Sequence, residues 1–153
     1  MVHPRQNIRE AIAERLKSQK TNAGDNVFTS RAKPLFDQDM PAILIYSSSE
    51  TIREERWDTD GFGPLERELE IFIEAVDYGK EDLDNKLDTL AQQIENALDG
   101  WNIPKRKSAV LRFSGTDMDM SIEGQKIYGA IRLAFNLTYR TQTHQQQEFE
   151  NEN

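Results

Sequence analysis

Leu65-Glu66-Arg67-Glu68-Leu69-Glu70-Ile71-Phe72-Ile73-Glu74-Ala75 carries the clearest periodicity in the chain. Leu65, Leu69, Ile71, Ile73 and Ala75 fall on one side of a period of two, and Glu66, Glu68, Glu70 and Glu74 fall on the other. Successive side chains of a strand point to opposite faces, so the pattern predicts a strand with one buried face and one wet or partner-facing face. On its C-terminal side, residues 80–99 change to helical spacing, with Leu83, Leu87, Leu90, Ile94 and Leu98 on one stripe and Gly100 as the stop. On its N-terminal side lies a polar stretch, 47–63, closed by Gly61-Phe62-Gly63-Pro64. Before that, Pro41-Ala42-Ile43-Leu44-Ile45-Tyr46 reads as a central strand.

The two ends complete the pattern. Residues 4–20 predict a helix, with Pro4 at the first helical position and Ile8, Ala11, Ile12 and Leu16 on one stripe. Thr21–Asn26 ends it, and the short apolar pair Val27-Phe28 precedes a polar bend through Arg31, Lys33 and Pro34. After the second helix, Ser108–Phe113 reads as a strand turning at Ser114-Gly115-Thr116 into another at Met118–Ile122, and Glu123-Gly124 makes a tight reversal. The last strand, Lys126–Thr141, places Ile127, Ile131, Leu133, Phe135, Leu137 and Tyr139 on odd positions. It exceeds the usual length of about 3–10 residues and is expected to bend or to extend past the core. The order α-β-β-β-α-β-β-β, with no βαβ rhythm, predicts an α+β fold: a mixed, mainly antiparallel sheet with two helices packed on one face. One domain is expected over residues 1–141, followed by a polar, flexible tail at 142–153.

Composition narrows the function classes. With 153 residues the chain can bury a core without staples, and with no cysteine it has neither disulfides nor thiolate chemistry. Its mean hydropathy is -0.76, no apolar run is long enough to span a membrane, and no secretory h-region is visible, so a cytoplasmic site of synthesis is expected. The net charge of -8 is unevenly spread. Residues 1–49 hold seven Lys/Arg against five Asp/Glu, residues 50–99 five against sixteen, and residues 101–140 seven against three. An acidic middle argues against wrapping nucleic acid, and segregated charge of both signs suits a protein that meets other proteins or copies of itself.

No catalytic constellation emerges. His3 and His144 lie near the termini, no phosphate-binding glycine motif occurs, and no zinc motif is present. Asp58-Thr59-Asp60-Gly61 and the alternating Asp117, Asp119, Ser121 and Glu123 only faintly resemble calcium loops, so no metal and no cofactor are expected. Lys105-Arg106-Lys107 is the one basic cluster. Trp57, flanked by Arg53, Glu54 and Arg56, sits in a charged loop where it either anchors an interface or folds back over the sheet.

The run from Val27 to Tyr46, followed by the acidic loop with Glu54, Glu55, Trp57 and Asp58 and then the strand at Leu69–Ala75, resembles the phage minor tail protein U family, the tail terminators of lambda-type long-tailed phages. The matching positions are Arg31, Phe36, Asp37, Pro41 and Ala42. The resemblance implies a structural protein rather than an enzyme. Such a protein forms a six-membered ring on the head-proximal end of the tail tube, stops polymerisation of the tube protein and offers the surface on which the head docks. It further implies assembly in the bacterial host cytoplasm. The implied partners are the chain itself, the major tail tube protein and a head-completion or connector protein, with genomic DNA only passing through the lumen. Arg31, Arg53, Glu54, Arg56 and Trp57 are then candidates for the subunit or tail-tube interface, and Glu66, Glu68, Glu70 and Glu74 for a lumen lining or a neighbour contact. A head-tail adaptor and a small ligand-binding domain are the alternatives from other classes.

Overall fold

The computed structural model describes residues 2–30, 32, 35–54, 64–106 and 109–142. Its elements are α1 (Pro4–Ser18), β1 (Val27–Phe28), a 3-10 turn (Asp37–Asp39), β2 (Ala42–Glu54), β3 (Pro64–Gly79), α2 (Leu83–Leu98), β4 (Leu111–Glu123) and β5 (Lys126–Gln142). The strands form one sheet in the order β1-β2-β3-β5-β4. Only β1 and β2 pair in parallel, and every other neighbour is antiparallel. The fold is α+β, with both helices on one face of a mainly antiparallel sheet.

Local chemistry sets the element ends. The His3 imidazole accepts a hydrogen bond from the Arg5 amide at 3.0 Å, and Pro4 takes the first helical position, where its missing N–H costs nothing. Helix α1 lays Ile8, Ile12, Ala13 and Leu16 on the sheet, and α2 lays down Leu83, Leu87, Leu90, Ala91, Ile94, Ala97 and Leu98. Gly100, at φ +68°, follows α2 in the left-handed conformation that ends helices. Close seating of α2 needs Gly129 of β5, where a Cβ would stand 2.8 Å from Leu87 Cδ1. The odd residues of β3 and β5 meet both helices: Leu69, Ile71, Ile73, Leu133 and Leu137 are fully or almost fully buried in one core with them.

Three expectations are corrected. The residues after Tyr46 do not leave the sheet, because β2 continues through Glu54 in register with β3 as far as Glu54↔Leu65. Its polar residues gave no alternation, and cross-strand pairing rather than propensity makes them a strand. Ser114-Gly115-Thr116 is not a turn between two strands. It is a bulge in a single β4, where the register to β5 slips between Phe113 and Gly115 and Ser114 Oγ donates to the Ala134 carbonyl at 3.1 Å. The sheet therefore has five strands rather than six. The final strand does run past its neighbour, since β4 begins opposite Leu137 while β5 continues to Gln142. Of the expected polar tail, residues 143–153 lie outside the described residues.

Candidate functional site

The two faces of the sheet differ in kind. Beneath α1, at one end of the helix-covered face, four elements converge on Glu50. Arg5 Nη1 and Arg67 Nη1 donate to its Oε1 at 2.8 and 2.7 Å, and the Tyr139 hydroxyl donates to Oε2 at 2.6 Å. Arg67 Nε also donates to Thr141 Oγ1 at 2.8 Å, and the Arg106 guanidinium lies 5.4 Å from the centre of the Tyr139 ring. The side chains of Glu50 and Arg67 are only 9% and 15% exposed, so this cluster is an internal strut that ties the start of α1 to three strands.

Burial alone would raise the Glu50 carboxyl. The hydrogen bonds from Tyr139 and Arg67 and the charges of Arg67 and Arg5 outweigh it and hold the group below the ordinary carboxylate value. Burial and the bond to Glu50 push the Tyr139 phenol from 10.0 up to about 12. A group raised in the folded chain stabilises fully below its unfolded value and loses that contribution as pH climbs through the folded one. Urea-unfolding midpoints should therefore fall as pH rises from 10 to about 12, and Tyr139→Phe should remove this component of the slope. Glu50, shifted the other way, contributes above its unfolded value and loses that contribution as pH falls through its lowered folded one.

A second cluster pins the connection between β1 and β2 to the opposite, open face. Asp37 Oδ1 accepts from the Tyr128 hydroxyl at 2.9 Å, and Asp37 Oδ2 pairs with Lys126. The Phe36 amide donates to Asp39 Oδ2 at 2.9 Å, closing the 3-10 turn. Bonds from Lys126 and Tyr128 hold the Asp37 carboxyl below its ordinary range. Phe36 and Asp37, singled out in the sequence only by family resemblance, thus hold the strap that crosses the open face on its way to β2.

Glu66, Glu68, Glu70 and Glu74 all project from this open face, as their spacing predicts, but the row is not a bare acidic stripe. Glu66 faces Arg140 at 3.8 Å, Glu70 accepts from Ser48 Oγ, and Glu74 lies 3.4 Å from the Tyr46 hydroxyl. Arg132 stacks 4.8 Å from the centre of the Phe72 ring and reaches Asp117 at 3.5 Å. Register explains this, since Glu74↔Arg132 and Glu66↔Arg140 are cross-strand partners. Glu68 is exposed between Thr51 and Thr138. Arg53 is exposed at the far end of β2, opposite Glu66. Arg31, Arg56 and Trp57 lie outside the described residues, as does the side chain of Glu54.

The feature that sequence reasoning missed is a strip on β4. Because of the bulge, Phe113 before it and Met118, Met120 and Ile122 after it all face the helix side of the sheet and stay exposed there. Met118, Met120 and Ile122 are 68%, 48% and 75% exposed on an edge strand. The alternation was visible in the sequence, but not that the strand is an edge.

Among the described residues no group of His, Asp and Glu side chains is placed to hold a metal, and no helix is long and apolar enough to cross a membrane. The distinctive features are faces, edges and a strap, which define a protein that works through its surfaces. The chain matches the phage minor tail protein U family over residues 3–139 and belongs to that family. It is accordingly a structural, tail-associated phage protein and a virion component. No curated protein matches the sequence. Among solved structures, a chain of the virion of a native gene transfer agent particle is similar, with a TM-score of 0.53 and 9% identity over 90% of this chain and 100% of that one. At that identity the likeness is one of fold.

Proposed function

We propose that copies of this chain, six by the family resemblance, form a ring that caps the head-proximal end of the tail tube, ends tube polymerisation and provides the surface for head attachment. The observation that carries this reading is that the two lateral edges of the sheet are unlike: β4 presents a bare apolar row, whereas the other edge is the two-residue β1 beside β2, with α1 packed over both. A subunit with unlike edges suits head-to-tail association, and such contacts form a ring when the rotation from one copy to the next closes. The role is structural and needs no cofactor. The partners are other copies, the tail tube protein and a head-completion protein. Carboxylates on the open face would leave passing DNA unheld, since DNA binding rests on neutralised phosphates. In this reading Glu66, Glu68, Glu70 and Glu74 line the lumen or meet a neighbour, and Arg31, Arg53, Glu54, Arg56 and Trp57 contact a neighbour or the tube. Assembly takes place in the host cytoplasm. Gold labelling of a tagged chain in intact virions tests the position: label confined to the junction of head and tail supports it, and label along the tube or at the distal tip overturns it.

A further inference from the structure

The β4 edge carries a row of exposed apolar side chains, Met118, Met120 and Ile122, that folding leaves uncovered. Its 13 residues pair with β5 on one side and, among the described residues, with no strand on the other. The charged residues of β4, Arg112, Asp117, Asp119 and Glu123, all fall on the open face, so the helix-side face of this unpaired edge is apolar and suited to take another chain. Beside it runs a recess of about 340 Å³ between β4 and α2, floored by Leu111, Phe113 and Phe135 and walled by Glu95 and Asp99.

The opposite lateral edge is the matching half. There β1 pairs only with Ile43 and Leu44, so the outer side of β2 from Ile45 onward has no strand partner among the described residues. Strands β2 and β4 run antiparallel, because three successive antiparallel pairings separate them. Register also sets their height. Glu50 is level with Leu69, which is level with Leu137, which is level with Leu111. Arg5, bonded to Glu50, and Arg9, whose Nη1 donates to Ser47 Oγ at 3.1 Å, therefore stand at the height of the acidic recess, on the same side of the sheet.

We propose that the bare edge of β4 takes the α1–β2 edge of a second copy of this chain. Setting two sheets level and side by side places β2 of the second copy, from Ile45 onward, antiparallel to residues 111–116 of β4, and brings that copy's β1, with α1 over it, to the level where the row Met118, Met120 and Ile122 begins. The same placement brings cationic Arg5 and Arg9 to the level of Glu95 and Asp99. Opposite charge at matched heights favours this occupant over a partner of unspecified chemistry. The proposal rests on the head-to-tail association put forward above and adds which edges meet.

Two variants test it. Met118→Glu/Ile122→Glu breaks the β4 edge, and Arg9→Glu, a charge reversal level with Phe113, breaks the α1–β2 edge and is the β2-edge variant; the β4 positions are exposed and Arg9 is half-buried, so both variants should fold. Light scattering with size exclusion should show the wild type assembling and each variant alone as a monomer, with association weakened about 30-fold or more. Mixed together, the variants should form one-to-one heterodimers that stop there, because each retains one working edge. Dimers of the β2-edge variant alone would mean that β4 pairs with β4 and would overturn the assignment. Wild-type assembly by the β4 variant would overturn it while leaving the ring intact. A wild type monomeric up to its solubility limit would overturn association itself, and this proposal with it.

Discussion

Replacing Glu50 with Ala should lower the free energy of unfolding by about 3–5 kcal/mol, because breaking a buried ion pair strands its cation away from water. Arg67 would keep only its bond to Thr141, and Tyr139 would lose the acceptor of its hydroxyl. The expected damage exceeds that of a surface pair, since Lys126–Asp37 and Arg132–Asp117 sit where solvent screens them. Tyr139→Phe removes a single hydrogen bond and should cost about 1–2 kcal/mol. A double replacement, Glu50→Leu with Arg67→Met, should recover much of the loss, because two apolar groups of similar volume leave no buried charge behind and the partly exposed Arg5 can turn to solvent. Chemical denaturation of the four proteins checks this series. An Ala variant within about 0.5 kcal/mol of wild type would mean that Glu50 is solvated in solution.

Ile73→Ala should cost a similar amount, about 3–5 kcal/mol, through lost transfer energy and the cavity left behind. Ile73 is fully buried in β3, on the face that meets both helices, so little can collapse into the gap. The informative comparison is with Met118→Ala on β4, which should change stability by no more than about 0.5 kcal/mol, because Met118 is already in water. Both positions are apolar and both belong to strands with regular alternation. The contrast separates side chains that build the fold from side chains left for assembly. Equal losses at the two positions would place β4 inside a cooperative core and remove it as an assembly edge.

Local periodicity made much of this fold legible. The alternation at Leu65–Ala75 and the odd positions of β5 identify the two central strands, and the leucine stripe identifies α2, because each of these elements buries one face. The continuation of β2 past Tyr46 was hidden because Ser47–Glu54 has no such face to betray it. The bulge at Ser114 was hidden because it looks like a turn when β5 is not yet alongside. The cluster around Glu50 draws residues from α1, β2, β3 and β5, which share a level only once the register of the whole sheet is set. The same holds for the neutralisation of Glu66 by Arg140, residues 74 positions apart. The strap residues Phe36 and Asp37 stood out by family resemblance, yet what Asp37 grips, Tyr128 and Lys126, required the structure.

Tail length in particles made without this chain tests termination most directly. Electron microscopy of a lysate lacking its gene should show overlong tubes without heads, and restoring the gene should return a single tail length. Tails of normal length carrying heads would contradict termination altogether. Tails of normal length left unjoined would move the chain to the capsid side of the junction.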